Sequence, residues 1–590
     1  MNAQSWRRIL AAAALLLCGL VSPVRGLTVQ EVLWGFDGQV VPDRINLLSL
    51  LVVNDTGTPF SGTLELYRTD GLKPVGASEV QDCFLAPFGT RWVQFYTHNS
   101  GENEEWILRW GRGLRQSMEL TVPRLGAPAR VLLNDPGDPF ARSGSLKAFP
   151  EDIFPVTVAA TDALESIVMD HAPRWEPVRR QAFLDWLRRG GTVHVLLGRS
   201  GRTPEFPSDL AVLNTAVDRF RVGAGLVVRH DVSRSGIDDQ TLTDRGFPRL
   251  RLEKLEEWNS IAKVEDPFFT RLRSFTRAKH HWWLIYPYII LYIVLIGPVN
   301  YLLGRKWRDY RLTLLFFVGV MAFSAVFLEW VGRRGHGESA AVHTLSYARP
   351  VADGVYDVTQ WVNAFVTRGA YYKIQHDAPH SLYTTGQDME SVNGVIQNGP
   401  DGTFTVDMPL YSWRSFVHRG KMKGPDLGLK LAKWSAGSGP EELVVACGPD
   451  FPKEVLGAWA LSGDNFYKLQ ADGRQLELVS PPQGKSKEEF LVSDQSFHGL
   501  PFMPFGGPAE DDTELDTKAS YEKMVPALVA YGLGGAKDFR YRVSGEARSR
   551  DSLQVFIVAR CPESFFIREK PFGRETGYVL YHVCFFESNR

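Results

Sequence analysis

Two apolar runs separated by eight residues constrain this chain more than anything else in it. Trp282–Leu303 (WWLIYPYIILYIVLIGPVNYLL) carries no charge, and Leu312–Val331 (LTLLFFVGVMAFSAVFLEWV) carries one, Glu329. At 1.5 Å per residue, about 20 residues cross roughly 30 Å of hydrocarbon, so each run suits one crossing. The Leu, Ile and Val residues of the first run favour insertion by about 4–7 kcal/mol before Pro, Gly and Asn are subtracted. The link Gly304–Arg311 (GRKWRDYR) is too short to form a domain, so the pair reads as a transmembrane hairpin with a large soluble region before it and another after it. Pro287 and Pro298 are expected to kink the first helix, and Gly297 to admit the second helix closely.

The N-terminus predicts on which side the soluble regions lie. Arg7 and Arg8 precede the apolar Ile9–Val21, and Val24-Arg25-Gly26 offers a small-residue exit, so residues 1–26 read as a secretory signal peptide. Translocation of the chain beyond residue 26, together with an even number of spans, places both soluble regions outside the cytosol. Loop charges alone do not decide the orientation. Arg305, Lys306, Arg308 and Arg311 suit a cytoplasmic loop, but Arg271, Arg273, Arg277, Lys279, Arg333 and Arg334 flank the outer ends. Trp282, Trp283, Trp307 and Trp330 stand where interfacial aromatic belts form, so these tryptophans and the loop cations are the expected contacts with the lipid bilayer. Asn300 and Glu329 are too few to line a transport path.

Composition fits a globular exterior on an anchor. Apolar residues make up 44% and charged residues 23%, with a net charge of −1, which excludes the basic excess of a nucleic-acid binder. Five cysteines are too few for a disulfide scaffold. Cys561 and Cys584 fall on two late strands in an oxidising exterior and form a candidate disulfide, with two buried thiols as the alternative.

Residues 27–125 read as a β-sandwich, from strand-length runs such as Leu47–Asp55, Gly62–Arg68, Thr90–Thr97 and Glu104–Trp110 divided by turn signals. Residues 127–265 change period. Ala129–Asp135, Phe154–Ala160 and Glu165–Asp170 read as strands, Glu176–Gly191 as a helix stopped by glycines, and Thr192–Gly198 as a buried parallel strand. The β-α-β order implies a parallel α/β layer. A further helix is expected over Leu252–Val264. Residues 335–590 read as β-rich, with strands over Gly402–Trp413, Glu441–Gly448, Gly457–Leu469, Asp551–Cys561 and Gly577–Phe586, one helix over Thr517–Gly532 and a division into two domains near residue 420. The fold class is multidomain α+β.

Glu165–Gly198 (ESIVMDHAPRWEPVRRQAFLDWLRRGGTVHVLLG) resembles an element of bacterial, planctomycete-like two-span membrane proteins that carry a class I glutamine amidotransferase-like domain. There a strand ending in Asp precedes a helix with WxxxGG and an apolar strand, matched here by Asp170, Trp186, Gly190, Gly191 and Thr192–Leu197. Asn54–Leu66 and Ile296–Arg308 also resemble such proteins. The resemblance implies a flavodoxin-like α/β domain and a place in the bacterial cytoplasmic membrane. The activity does not carry over, because an amidotransferase attacks through a Cys thiolate and no cysteine lies between Cys83 and Cys447.

Other chemistry is sparse. Gly198-Arg199-Ser200-Gly201 is not G-x-S-x-G, and Pro204 and Pro207 oppose the helix that a nucleophile elbow needs. Asp170-His171 ends a strand on the side where α/β folds bind ligands. His376-Asp377-Ala378-Pro379-His380 has metal-ligating residue types, but Pro379 breaks the helix that would align them. No phosphate-binding glycine motif is present. The sequence therefore predicts a non-enzymatic, membrane-anchored envelope protein without metal or cofactor, presenting extracytoplasmic binding domains to a protein partner in the membrane or envelope. Two alternatives stand beside it: an auxiliary subunit of a transporter or secretion complex, and a hydrolase using Ser200 or Asp170/His171. Ser200→Ala and His171→Ala are expected to be silent.

Overall fold

The computed structural model describes residues 27–586 apart from 43, 72, 100–103, 138–145, 239, 243–264, 276–281, 308, 336–339, 386–390, 435–439, 441, 493–516, 534–551, 570 and 571. The leader over residues 1–26, the helix expected over Leu252–Val264 and Arg308 lie outside the described residues. The chain is a strand-rich α+β protein with two helices long and apolar enough to span a membrane.

The first soluble region opens as a sandwich. Thr28–Trp34, Arg44–Val53 and Thr90–Asn99 form one antiparallel sheet. Its inward residues Leu48, Leu50, Val52 and Phe95 pack on Leu64, Leu66, Trp106 and Leu108 of the facing sheet. That second sheet is not made by residues 27–125 alone. Phe60–Asp70, Lys73–Leu85, Glu105–Trp110 and Gln116–Glu119 are extended by Ser391–Gln397, Thr403–Met408 and Ala370–Ile374, all from beyond the hairpin. The join is parallel, with Glu79 beside Ile396. Lys73–Leu85 would otherwise present an open edge, and pairing that edge satisfies its backbone groups.

The α/β layer has the strand order Lys147–Pro150, Ala129–Asn134, Leu164–Met169, Thr192–Val195, Gly225–Arg229, Arg219–Val222, parallel except for the last. The helix Pro177–Arg189 starts on Pro177 and stops at Gly190, whose φ of 128° suits glycine. The strand expected over Phe154–Ala160 is absent. Two 3₁₀ turns, Glu151–Ile153 and Val158–Thr161, replace it, because Pro155 has no N–H for a ladder and the Thr157 hydroxyl accepts from Ala159 N–H to cap a turn.

Beyond the hairpin the chain does not divide at 420. Gly420 lies inside the strand Ser412–Lys423, opposite Val358, in one twelve-stranded sheet that runs from Leu382–Thr384 to Lys430–Trp434. Ala341–Ala352 and Arg574–Phe586 pair in parallel at its middle, so the C-terminal strand joins its two wings. Gly457–Leu469 is a hairpin of two strands, Val455–Ser462 and Asn465–Asp472, and Thr517–Gly532 is two short helices, Thr517–Glu522 and Val525–Gly532.

The apolar pair is helical throughout. Trp282–Val294 continues through a π-turn at Leu295–Val299, around Pro298, into Asn300–Trp307, and Tyr310–Gly335 returns. The stretches long and apolar enough to span are Ile285–Trp307 and Tyr310–Glu329, so the connection is shorter than the eight residues expected. Arg305, Lys306 and Trp307 belong to the last helical turn, where cations oppose the negative end of the helix dipole, while Arg311 opens the return helix. Trp282, Trp283 and Trp330 lie near the opposite helix ends. Close approach falls at Gly304, where an added Cβ would meet Thr313 Cγ2 at 3.3 Å, whereas Gly297 faces open space. Tyr288 and Phe327 pair across the helices at 4.1 Å. Ile290, Ile293, Leu315 and Phe323 are exposed, an apolar surface that water does not support.

Candidate functional site

The carboxyl end of the parallel strands holds a compact ion cluster. Asp170, immediately after Leu164–Met169, accepts from Arg234 Nε and Nη2, both at 2.9 Å, and lies 2.8 Å from His171 Nδ1. His171 Nε2 is 3.0 Å from Glu151 Oε2, and Glu151 also accepts from Arg174 N–H and, through its backbone carbonyl, from Trp175 Nε1. Burial disfavours the charged imidazole, but the hydrogen bonds and charges of Asp170 and Glu151 outweigh it and raise the His171 pKa to about 9. Asp170 is held down at about 2, because His171 and Arg234 outweigh its burial. At neutral pH His171 is thus an imidazolium engaged at both nitrogens, which cannot accept a proton as a general base. Ser200 is exposed on a turn closed by Gly201 N–H to the Gly198 carbonyl, the surface turn expected from its prolines.

Three of the described histidines beyond the hairpin, His376, His418 and His582, are buried. His376 is buried, with Nδ1 2.9 Å from the Tyr383 hydroxyl and its ring stacked on His418 at 3.8 Å. His418 reaches Gln360 Oε1 at 2.7 Å and Ser381 Oγ at 3.0 Å. This Ser-His-Gln arrangement resembles a nucleophile relay, but His418, Gln360 and Ser381 have no exposed surface through which a substrate could arrive. Burial pushes His376 down to about 3, so its ring is neutral, as a packed histidine should be. His380 takes a positive φ of 55° in the next turn, away from any helical pairing with His376. Among the described residues no three His, Cys, Asp or Glu side chains cluster as metal ligands.

Sequence reasoning missed a cavity of about 390 Å³, which opens where the α/β layer meets the twelve-stranded sheet. Arg188, Arg189 and Arg221 reach it from before the hairpin, and Arg349 and Lys487 from after it, against one acid among the described residues, Asp353. Behind its wall lies a buried ionic lattice. Arg189 Nη1 donates to Asp162 at 2.8 Å and to Asp357 at 2.9 Å, and Arg419 donates to the same two carboxylates at 2.6 and 2.9 Å. Asp357 has no exposed side-chain surface, and its three arginines outweigh that burial to hold it far below the usual carboxylate range. Those two carboxylates balance Arg189 and Arg419. Arg349, 3.5 Å from Asp357, is a third cation on the cavity side, and its buried Nε meets no hydrogen-bond partner among the described residues. Burial also lowers the Lys487 pKa, and Asp464 only partly opposes this. Leu461, Leu533 and Phe586 supply apolar wall, with the Arg221 guanidinium 3.6 Å over the Phe586 ring. His582 forms part of the lining. Its Nδ1 meets the Tyr347 hydroxyl at 2.6 Å and Nε2 meets Gln554 Oε1 at 3.0 Å, and burial pushes its pKa down to about 3. These residues are scattered from 188 to 586, and no spacing in the sequence could have gathered them.

Cys584 lines the same cavity, and the disulfide expected with Cys561 is not formed. In the antiparallel pair Ser552–Arg560 with Arg574–Phe586, Cys584 faces Gln554, while Cys561 N–H bonds the Gly577 carbonyl. Seven residues along one strand, at about 3.3 Å each, hold the thiols more than 20 Å apart, far beyond disulfide reach.

No known protein family matches the chain, and no curated protein does. Among solved structures, the alkylpurine DNA glycosylase AlkC of Pseudomonas fluorescens aligns at 12% identity, over 19% of this chain and 34% of that one, with a TM-score of 0.13. A cycloisomaltooligosaccharide glucanotransferase of Paenibacillus sp. aligns at 9% identity over 77% of this chain and 98% of that one, with a TM-score of 0.16. A two-domain M1 zinc metallopeptidase aligns at 10% identity over 25% and 41%, with a TM-score of 0.12. Alignments this loose describe no shared fold.

Proposed function

We propose that this protein is a membrane-anchored, non-catalytic binding protein of the bacterial envelope, with both soluble regions on the outer side of the membrane and a small organic anion as its ligand. One observation carries the reading: the cationic cavity is assembled jointly by segments from before and after the hairpin. Such a cavity forms only if both regions fold on the same side, which the two spans allow and a single span would forbid. Guanidinium groups offer forked donors that suit carboxylates and phosphates, and the apolar wall suits an organic body. His171, locked as an imidazolium, and Ser200, on an exposed turn, argue against hydrolysis.

The test combines topology with binding. Epitopes inserted at the exposed turns of Gly201 and Gly473 should both be reached by antibody outside intact spheroplasts. Thermal melting of the detergent-solubilised full chain should rise with inorganic pyrophosphate or citrate, and Lys487→Gln with Arg349→Gln should reduce that rise. An epitope on the cytosolic side, or a melting temperature indifferent to both anions, overturns the proposal.

A further inference from the structure

The edge of the large sheet from which the hairpin leaves carries an exposed aromatic tip. Phe275, the last described residue before the hairpin, packs its ring 5.3 Å from that of His343, near the start of the first strand after it. Six residues separate Phe275 from Trp282, and four separate Gly335 from Ala340, so extended links span at most roughly 15–25 Å. Strand register shows what shares this edge. Ala341 pairs with Phe365 on one side and Arg574 on the other, and Phe365 pairs with Trp413. At about 4.8 Å per strand, Trp413 lies only roughly 10 Å across the sheet from the point where the chain emerges from the hairpin. Beyond Trp413 the connection Pro409–Tyr411 projects further in the same direction, beside Gly369, and Ala370 pairs with Met408.

This tip is apolar where a water-facing turn would be polar. Leu410 is 60% exposed, Trp413 49%, Tyr411 43% and Tyr371, on the adjoining strand, 72%. Tyr411 holds a φ of 52°, a left-handed conformation that glycine or asparagine adopts with less strain. A tyrosine at the apex is therefore kept against local preference. Arg368 and Arg574 are exposed along the same edge. Tyrosine and tryptophan with nearby cations are the residue types that settle at lipid headgroups, with rings in the acyl boundary and polar ends in water.

We propose that this edge, centred on Leu410, Tyr411, Trp413 and Tyr371, rests on the lipid surface and seats the soluble body against the bilayer beside its hairpin. The inference rests on the membrane reading above and adds an orientation: the strands of the large sheet stand up from the membrane. The Leu85–Gly89 turn then points away. Lys73–Leu85 runs parallel to Ser391–Gln397 and antiparallel to Thr403–Met408, which leads into the tip, so Phe88 stands roughly 30 Å above it.

The experiment uses the full chain in phosphatidylcholine–phosphatidylglycerol liposomes, with the native cysteines replaced by alanine and the parent's melting curve retained. An environment-sensitive fluorophore is attached in turn through Leu410→Cys, Tyr371→Cys, Phe88→Cys and Ile290→Cys. Lipids spin-labelled at the headgroup should quench the Leu410 and Tyr371 reporters and blue-shift their emission while leaving the Phe88 reporter untouched, and mid-chain spin labels should quench Ile290. Quenching at Ile290 with Leu410 and Tyr371 as aqueous as Phe88 overturns the seating but leaves the anchor intact. An aqueous Ile290 removes the membrane reading and the seating with it.

Discussion

Trp186 shows what the W-x-x-x-G-G pattern is for. Its ring is fully buried against Phe183, its Nε1 donates to the Leu164 carbonyl at 3.1 Å, and a Cβ at Gly191 would stand 2.4 Å from the ring. The glycine is therefore the space into which the indole packs. Trp186→Ala removes that ring from a core that cannot collapse onto it, and should cost about 3–5 kcal/mol in chemical denaturation. A loss below about 1 kcal/mol would contradict the packing. His171 makes the second case, because its two hydrogen bonds to carboxylates lead us to expect a pH-dependent cost on substitution where the sequence reading expected none. The folded state holds its proton at a pKa of about 9 against 6.5 for a free imidazole. Its stabilising contribution is therefore complete below about pH 6.5 and is lost as pH rises through about 9. His171→Gln should melt below the parent at pH 6, with the gap closing by pH 10. A gap independent of pH would mean that the ring contributes only by packing.

At the scale of elements, the seam between Lys73–Leu85 and Ser391–Gln397 holds a group whose linkage has the same sign, in a lower pH range. Glu79 is buried there, and its carboxylate oxygens both lie 3.2 Å from Tyr96 N, the donor. Desolvation outweighs that hydrogen bond and pushes its pKa up to about 8 from 4.5. The folded state again holds the proton more tightly, so the seam weakens as pH rises from about 4.5 and reaches its full loss above about 8. Glu79→Gln keeps the shape and removes the titration. It should match the parent near pH 4.5 and melt at a higher temperature from pH 8 upward, and a constant offset across that range would refute the assignment. The sequence showed Lys73–Leu85 only as β-forming residues. One partner, Phe60–Asp70, is its neighbour in sequence, but the other lies some 300 residues away, and alternation within a strand carries no information about which edge it joins.

For the molecule as a whole, the lattice of Asp162, Arg189, Asp357 and Arg419 fastens the α/β layer to the large sheet across the hairpin. Removing one charge strands the others in a buried setting. Asp357→Asn should therefore lower the unfolding free energy by about 3–5 kcal/mol, read by denaturant titration of the solubilised chain. A change within about 0.5 kcal/mol, typical of a surface site, would remove the lattice from any structural role. What the sequence determined by itself was local. An apolar run of about 20 residues declares a candidate span wherever it sits, because its burial is satisfied by lipid. A proline at the first helical position and glycines at the stop place the helix Pro177–Arg189 within a residue or two, because capping is set by neighbours in the chain. Even there, Phe154–Ala160 turned away from its β propensity once Pro155 and Thr157 offered turns. What only the tertiary structure decided was everything that joins distant segments: the sandwich sheet completed from beyond the hairpin, the undivided twelve-stranded sheet, the two cysteines held at opposite ends of one strand pair, and the cavity with its surplus of cations. Those arrangements depend on pairing and charge balance between residues hundreds of positions apart. Such terms are fixed when the whole chain packs and leave no periodic mark in the sequence.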